Sequence, residues 1–220
     1  MTKKIFILGS GGQARQVESI LYSVDPKAKL EAFLVKDNDN SIGNLHGIPV
    51  LGESILDNFS SDEILLINGM GRPNRKQPIE RLINKEYKFM KLIHPSAYIG
   101  KYIAIDEGTV IQSGVQFMTD ISVGKFTLLD LSSTIGHDVI IEDYTTISTG
   151  VNIAGGVQIG SGTWIGSGSV IIEGVKIGNN SVIGAGSVVT KNIGANRLAY
   201  GVPAKEMKAI DDASKVLIKH

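Results

Sequence analysis

The sequence predicts two folded parts: a small parallel α/β sheet of Rossmann-like type over residues 1–95, and a parallel β-helix over 96–195 followed by a C-terminal cap segment over 196–220. Three observations predict them. Apolar strands alternate with amphipathic runs in the first part, an unbroken six-residue period fills the second, and the pattern changes at His94-Pro95.

In the first part, KIFIL (4–8) is a short apolar strand, followed by GSGGQA and a run with Val17, Ile20, Leu21 and Val24 at helical spacing. LEAFLV (30–35), EILLIN (63–68) and KFMKLI (88–93) read as further strands, with a helix over RKQPIERLINKE (75–86). Strand, helix, strand in this order implies a parallel sheet. GSGGQA, residues 9–14, fits the G-x-G-x-x-A form of the dinucleotide fingerprint, in which amides at a glycine turn face a pyrophosphate, and Asp37 supplies the acid expected after the second strand. Arg72 and Arg75, in GMGRPNR after the third strand, are either phosphate ligands at the same crevice or a solvated helix start.

From Ile99 to Val189 an apolar residue stands at every sixth position, sixteen times in sixteen, and each of the first fifteen is followed four residues later by a small or β-branched side chain. A period of six is neither helical nor that of a plain alternating strand. It marks a parallel β-helix with three short faces per coil, in which the large residue of each hexad points inward. Glycines directly after the large residue, as in Ile159-Gly160, Ile165-Gly166, Ile177-Gly178 and Ile183-Gly184, are expected to ease the corners.

Composition narrows the function classes. Lys plus Arg and Asp plus Glu both number 22, so no global field draws the chain to nucleic acid. Cysteine is absent, which removes thiolate nucleophiles and Cys-based metal sites and fits a reducing compartment. The apolar run in MTKKIFILGSGG is too short for a signal peptide and no stretch approaches a membrane span, so the expected location is the cytoplasm.

Of the four histidines, only His137 lies within the hexads. Ile135 and Val139 should point inward, leaving Gly136, His137 and Asp138 to round a corner, where Asp138 can hold one ring nitrogen while the other faces an acceptor. Neutral imidazole suits general-base work, and the alternative is an exposed surface histidine. His94, before a proline, reads as structural and His46 as a loop residue. One histidine per chain in the coils does not supply the three imidazoles that a zinc enzyme such as the γ-type carbonic anhydrases needs, and no metal is expected. A nicotinamide dehydrogenase would need a catalytic domain where the β-helix lies, whereas a non-enzymatic scaffold stays open.

GSGGQA after the first strand, HPSA at the junction, the hexads, GHD, NIAGG one coil later and GVPAK near the end together resemble the hexapeptide-repeat acyltransferases. The order is similar to that of the family of sialic acid O-acetyltransferases and N-acetyltransferases of nucleotide-linked amino sugars. The resemblance implies a left-handed β-helix, acetyl-CoA as co-substrate, a homotrimer and a role in surface polysaccharide synthesis. It implies His137 as base with Asp138 assisting, and the Gly155 backbone N–H on the acetyl carbonyl. Coenzyme A would lie between neighbouring β-helices near Ala185 and Pro203, with Lys191 and Lys205 at its phosphates. Gly155 is otherwise a turn glycine and the lysines otherwise solvated. Ser10, Gly11 and Gly12 would hold the diphosphate of the acceptor and Asp37 its base. Thr146 stands where some members carry a second histidine, leaving one hydroxyl for a hydrogen bond to substrate. The implied acceptor is a nucleotide-linked amino sugar, first a UDP-4-amino-4,6-dideoxy sugar, with O-acetylation of a sialic acid or another sugar hydroxyl as the alternative.

Overall fold

The computed structural model describes residues 3–211, 213 and 216. It divides into two units, one running to Gly71 and resuming over Arg75–His94, the other comprising Arg72–Asn74 and the chain from Pro95 on.

The first unit holds β1 (Lys4–Leu8), α1 (Gly12–Val24), β2 (Leu30–Val35), β3 (Gly43–Leu45), β4 (Ile48–Gly52), β5 (Ile64–Asn68) and α2 (Lys76–Asn84). The sheet order is β3-β4-β2-β1-β5, parallel except for the β3–β4 hairpin. Near-continuous apolar strands are what a sheet covered on both faces requires, and Phe6, Ile7, Leu8, Phe33, Leu34, Leu66 and Ile67 are all buried. Helix α1 turns Ala14, Val17, Ile20 and Leu21 to the core, while Val24, expected on that face, is 46% exposed at the helix end. The expected strand over 88–93 is reduced to a parallel bridge of Phe89 with Leu66 and the two-residue strand Leu92–Ile93. Sequence patterning missed the β3–β4 hairpin. Its turn is His46-Gly47, both at positive φ, the geometry that matches strand twist in a two-residue hairpin loop.

In the second unit the coil is eighteen residues long. Val110, Leu128, Thr146, Trp164 and Val182 stack on one face; Gln116, Thr134, Asn152, Val170 and Val188 on the next; Ser122, Ile140, Gln158 and Lys176 on the third. The residue after each of these points inward, and from Ile111 to Val189 every large hexad residue is buried. Each such aliphatic contributes roughly 1.5–3 kcal/mol. At the first coil Ile99 is 37% exposed and Ile105 half-buried. The small residues four positions on are also inside, and their hydroxyls donate to carbonyls of the neighbouring coil: Thr109 Oγ1 to Gly124, Thr163 Oγ1 to Gly178 and Ser181 Oγ to Gly194, at 2.9, 2.9 and 2.8 Å. Narrow side chains let the coil close, and the hydroxyls give partners to carbonyls at the corners.

The corner glycines do a different job from the one expected. Positive φ falls two residues later, at Gly108, Gly114, Gly150, Gly156, Gly162, Gly168, Gly174 and Gly186, and at non-glycine Tyr102, Asp120, Phe126, Ser132, Asp138, Tyr144 and Asn180 in the same register. Gly160, Gly166 and Gly178 have ordinary φ but no room. A Cβ there would come within 2.6, 2.5 and 2.4 Å of backbone nitrogens of the adjacent coil.

At the C-terminal end the strands Arg197–Gly201 and Ala204–Ala209 form an antiparallel hairpin that pairs with Val182–Ile183. Val182, Ile210 and Ala213 form an apolar cluster with Trp164, Leu198 and Val216. Of the expected cap over 196–220, residues 212, 214–215 and 217–220, with His220, lie outside the described residues. Among the described residues no helix is long and apolar enough to cross a membrane.

Candidate active site

Because the coil is eighteen residues long, Thr119, His137, Gly155 and Glu173 stack at one corner. The amides of Asp138, Gly156 and Gly174 donate to the carbonyls of Thr119, His137 and Gly155 at 3.2, 2.8 and 2.9 Å, which fixes the column. Asp138 takes the left-handed conformation at φ 56°, which Asp tolerates better than most side chains, and this turns its carboxylate back onto the preceding residue. His137 Nδ1 lies 2.8 Å from Asp138 Oδ2. Donation from Nδ1–H leaves Nε2 with its lone pair.

The His137 side chain is 58% exposed and that of Asp138 70%. The imidazole folds against Gly155, which is buried, and a Cβ on Gly155 would lie 2.5 Å from Nε2. Gly136 is equally confined, since its Cβ would meet the Gly155 nitrogen at 2.7 Å. The Gly155 backbone N–H has no acceptor among the described residues. At another corner the corresponding amides are capped by side chains, Lys125 N–H by Asp143 at 2.7 Å and Ser161 N–H by Asn179 at 3.1 Å. The hydrogen bond to Asp138 raises the His137 pKa above its ordinary 6.5, against desolvation and with added help from the charges of Asp138 and Glu173.

Lys191 follows Val189 at this same corner, three coils from His137. Ala185 does not. It lies exposed on the corner between the first and second faces, beside the 201–205 turn, where Gly201 N–H donates to Ser187 Oγ at 3.3 Å. Pro203 and Lys205 are exposed on that turn and the strand after it. Thr146 is buried on the first face, paired with Leu128 and Trp164, and within one chain it is away from the His137 corner.

In the first unit, Gly9 at φ 91° makes the turn after β1, Gly11 precedes α1, and nothing lies within 4 Å of a Cβ built on Gly11. Gly12 opens α1 and is exposed. Ser10 Oγ is 3.1 Å from Ser41 Oγ. Asp37 accepts from the Ser54 backbone N–H at 2.9 Å, the main cause that holds its carboxyl below the usual range. With Lys36, Ser54, Arg81 and Lys85 it lines a cavity of about 510 Å³. Arg72 is exposed. Arg75, expected to grip phosphate, is wholly buried and donates from Nη1 to the Gly71 carbonyl at 3.4 Å. Glu173 escaped the sequence reading. The signal that finds it is the eighteen-residue coil, which places 137, 155 and 173 in one line.

The family model for bacterial transferase hexapeptide (six repeats) matches residues 156–191. Perosamine N-acetyltransferase from Caulobacter crescentus, solved with CoA and GDP-perosamine, shares 25% identity and a TM-score of 0.86 over 94% of this chain and 98% of its own. This is the hexapeptide-repeat acetyltransferase fold. The acetyltransferase domain of PglB from Neisseria gonorrhoeae and WeeI from Acinetobacter baumannii share it at a TM-score of 0.87, each with 24% identity over 94% of this chain and all of theirs. The hexapeptide-repeat β-helix is left-handed, as the resemblance implied. Two of the perosamine enzyme structures carry a histidine replaced by asparagine or alanine. No curated protein sequence matches the chain.

Proposed function

We propose that the chain transfers acetyl from acetyl-CoA to the amino group of a nucleotide-linked amino sugar. The observation that carries this reading is the His137 imidazole, held by Asp138 at Nδ1 and packed against Gly155, whose backbone N–H has no partner among the described residues. One group takes a proton and the other stabilises an oxyanion, and they meet at a single corner.

In the reaction, the thioester carbonyl of acetyl-CoA accepts from Gly155 N–H. The acceptor amine attacks the carbonyl carbon while Nε2 takes its proton, the tetrahedral oxygen is stabilised at Gly155, and collapse breaks the C–S bond. The proton on Nε2 passes to the leaving thiolate. Base catalysis of this kind gives on the order of 10²–10⁴ in rate.

The acceptor reading is supported by the open glycine turn at Ser10, Gly11 and Gly12, and by Asp37 beside its cavity as the acid for the base. The perosamine enzyme, solved with a GDP-linked sugar, is consistent with an acceptor of this class. UDP- and GDP-linked 4-amino sugars are the acceptors to test first. Arg75, being buried, leaves the phosphate reading.

Two half-sites stand on different corners: His137, Gly155 and Lys191 on one, Ala185, Pro203 and Lys205 on another. A coenzyme A molecule meets both only if a second copy sets its corner beside the first, which argues for a closed homo-oligomer, a trimer for a three-faced prism. Exposed Tyr102, Met118 and Ile172 at the His137 corner supply apolar surface for it. A donor drawn from the acetyl-CoA pool supports the cytoplasm as the expected location. Incubation with acetyl-CoA and UDP-, GDP- and dTDP-linked amino sugars, read by mass, should show a gain of one acetyl group on one of them, and His137→Ala should abolish it with the assembly intact. Acetylation of a sialic acid instead, or full activity in His137→Ala, would reject the reading.

A further inference from the structure

Glu173 is exposed one coil beyond Gly155 and one coil short of Lys191, on the corner that carries all three. Coils in a β-helix are spaced as neighbouring strands are, about 4.8 Å apart. With the acetyl carbonyl at Gly155 and the phosphates toward Lys191, the arm of acetyl-CoA runs up this corner. Its sulfur and its first amide nitrogen are joined by an ethylene bridge, which extended spans close to one coil. The N–H of that amide is therefore brought level with Glu173, and residues nearest it in the column offer no side-chain acceptor: Gly155 has none and Ile172 and Gly174 are apolar.

We propose that the Glu173 carboxylate accepts a hydrogen bond from the first amide N–H of the acetyl-CoA arm, making it a binding residue for the acyl donor. The inference rests on the reading of Gly155 and Lys191 given above. An ionised carboxylate is the stronger kind of acceptor, and next to a free N–H it fixes the arm's position along the corner as well as its affinity. The same charge acts on His137, the imidazole two coils away, in the direction of a stronger base.

Acetyl-CoA binding followed by calorimetry separates this proposal from the transfer reaction, since it needs no acceptor. Glu173→Ala is expected to weaken acetyl-CoA binding about tenfold, the effect of one charge-assisted hydrogen bond, and Glu173→Gln, which keeps a neutral acceptor oxygen, should restore part of it. The KM for the nucleotide sugar should stay within about twofold in both variants, well inside the effect of a single lost hydrogen bond. Unchanged acetyl-CoA binding in Glu173→Ala, or a glutamine variant as weak as alanine, would overturn the assignment. A rise confined to the KM of the amino sugar would also overturn it, by placing the carboxylate on the acceptor amine. If wild type binds acetyl-CoA and Glu173→Ala binds it about tenfold more weakly, yet no amino sugar is acetylated, the donor site stands and the acceptor reading falls.

Discussion

At the scale of single residues, the chemistry depends on where side chains are missing as much as on where they stand. His137 rests on Gly155 because that position carries no Cβ; one would lie 2.5 Å from Nε2. Gly155→Ala must push the ring aside or move the coil, so kcat/KM should fall by at least about 10², the scale of one mispositioned catalytic group, and the unfolding midpoint in urea should change little beside that loss. Asp138 supplies the largest contribution to the raised His137 pKa. With His137 as the proposed base, its active form is the neutral imidazole, so activity should fall as pH drops through the raised value. In Asp138→Asn that acid limb should move to lower pH, while the rate on the alkaline plateau falls because the tautomer is no longer enforced, both read from a kcat/KM profile against pH. Asp138→Gly has a further signature. Glycine removes the strain of φ 56°, so the melting temperature should hold or rise while turnover falls.

At the scale of elements, the hexads predicted faces and inward residues well because burial repeats with the chain's own period. The large and small inward positions were legible at once, as were β1 and β2. The role of the corner glycines was not, because sequence does not distinguish a glycine kept for its φ from one kept for lack of space, as at Gly162 and Gly160. The β3–β4 hairpin escaped because its turn uses His46 rather than asparagine or aspartate at the first positive φ. Thr163 tests the interior hydroxyls. It donates to Gly178 and receives from Ser181 N–H at 3.3 Å. Valine fills the equivalent inward position, four residues after the large one, on another corner at Val157 and Val175, so Thr163→Val changes hydrogen bonding and not shape. It should cost about 1–3 kcal/mol in urea unfolding.

At the scale of the whole molecule, the sequence showed the motifs but not their separation. GHD, NIAGG and Lys191 share a corner only because their spacings come close to multiples of eighteen, whereas Ala185 and GVPAK collect at another. Thr146, nine residues from His137, is half a coil away and lands on a different face. The two-corner arrangement gives a prediction about assemblies. His137→Ala chains and Lys205→Glu chains, each impaired alone, should regain part of the activity when unfolded and refolded together, while the double variant mixed with itself should not. Recovery in proportion to mixed assemblies, counted by native mass spectrometry, supports a site shared between copies; absence of recovery places donor and base in one chain.

The hairpin at 197–209 has a bearing on solubility. A stack of parallel coils is a one-dimensional lattice whose last rung presents open amides and carbonyls, the template on which fibres elongate. Here the chain doubles back, so on one of three sides the final rung is followed by a strand of opposite sense, from Ala204 to Ala209, bearing Lys205, Glu206 and Lys208. A further parallel rung would find mismatched polarity and alternating charge. That reversal acts as a terminator against end-to-end polymerisation.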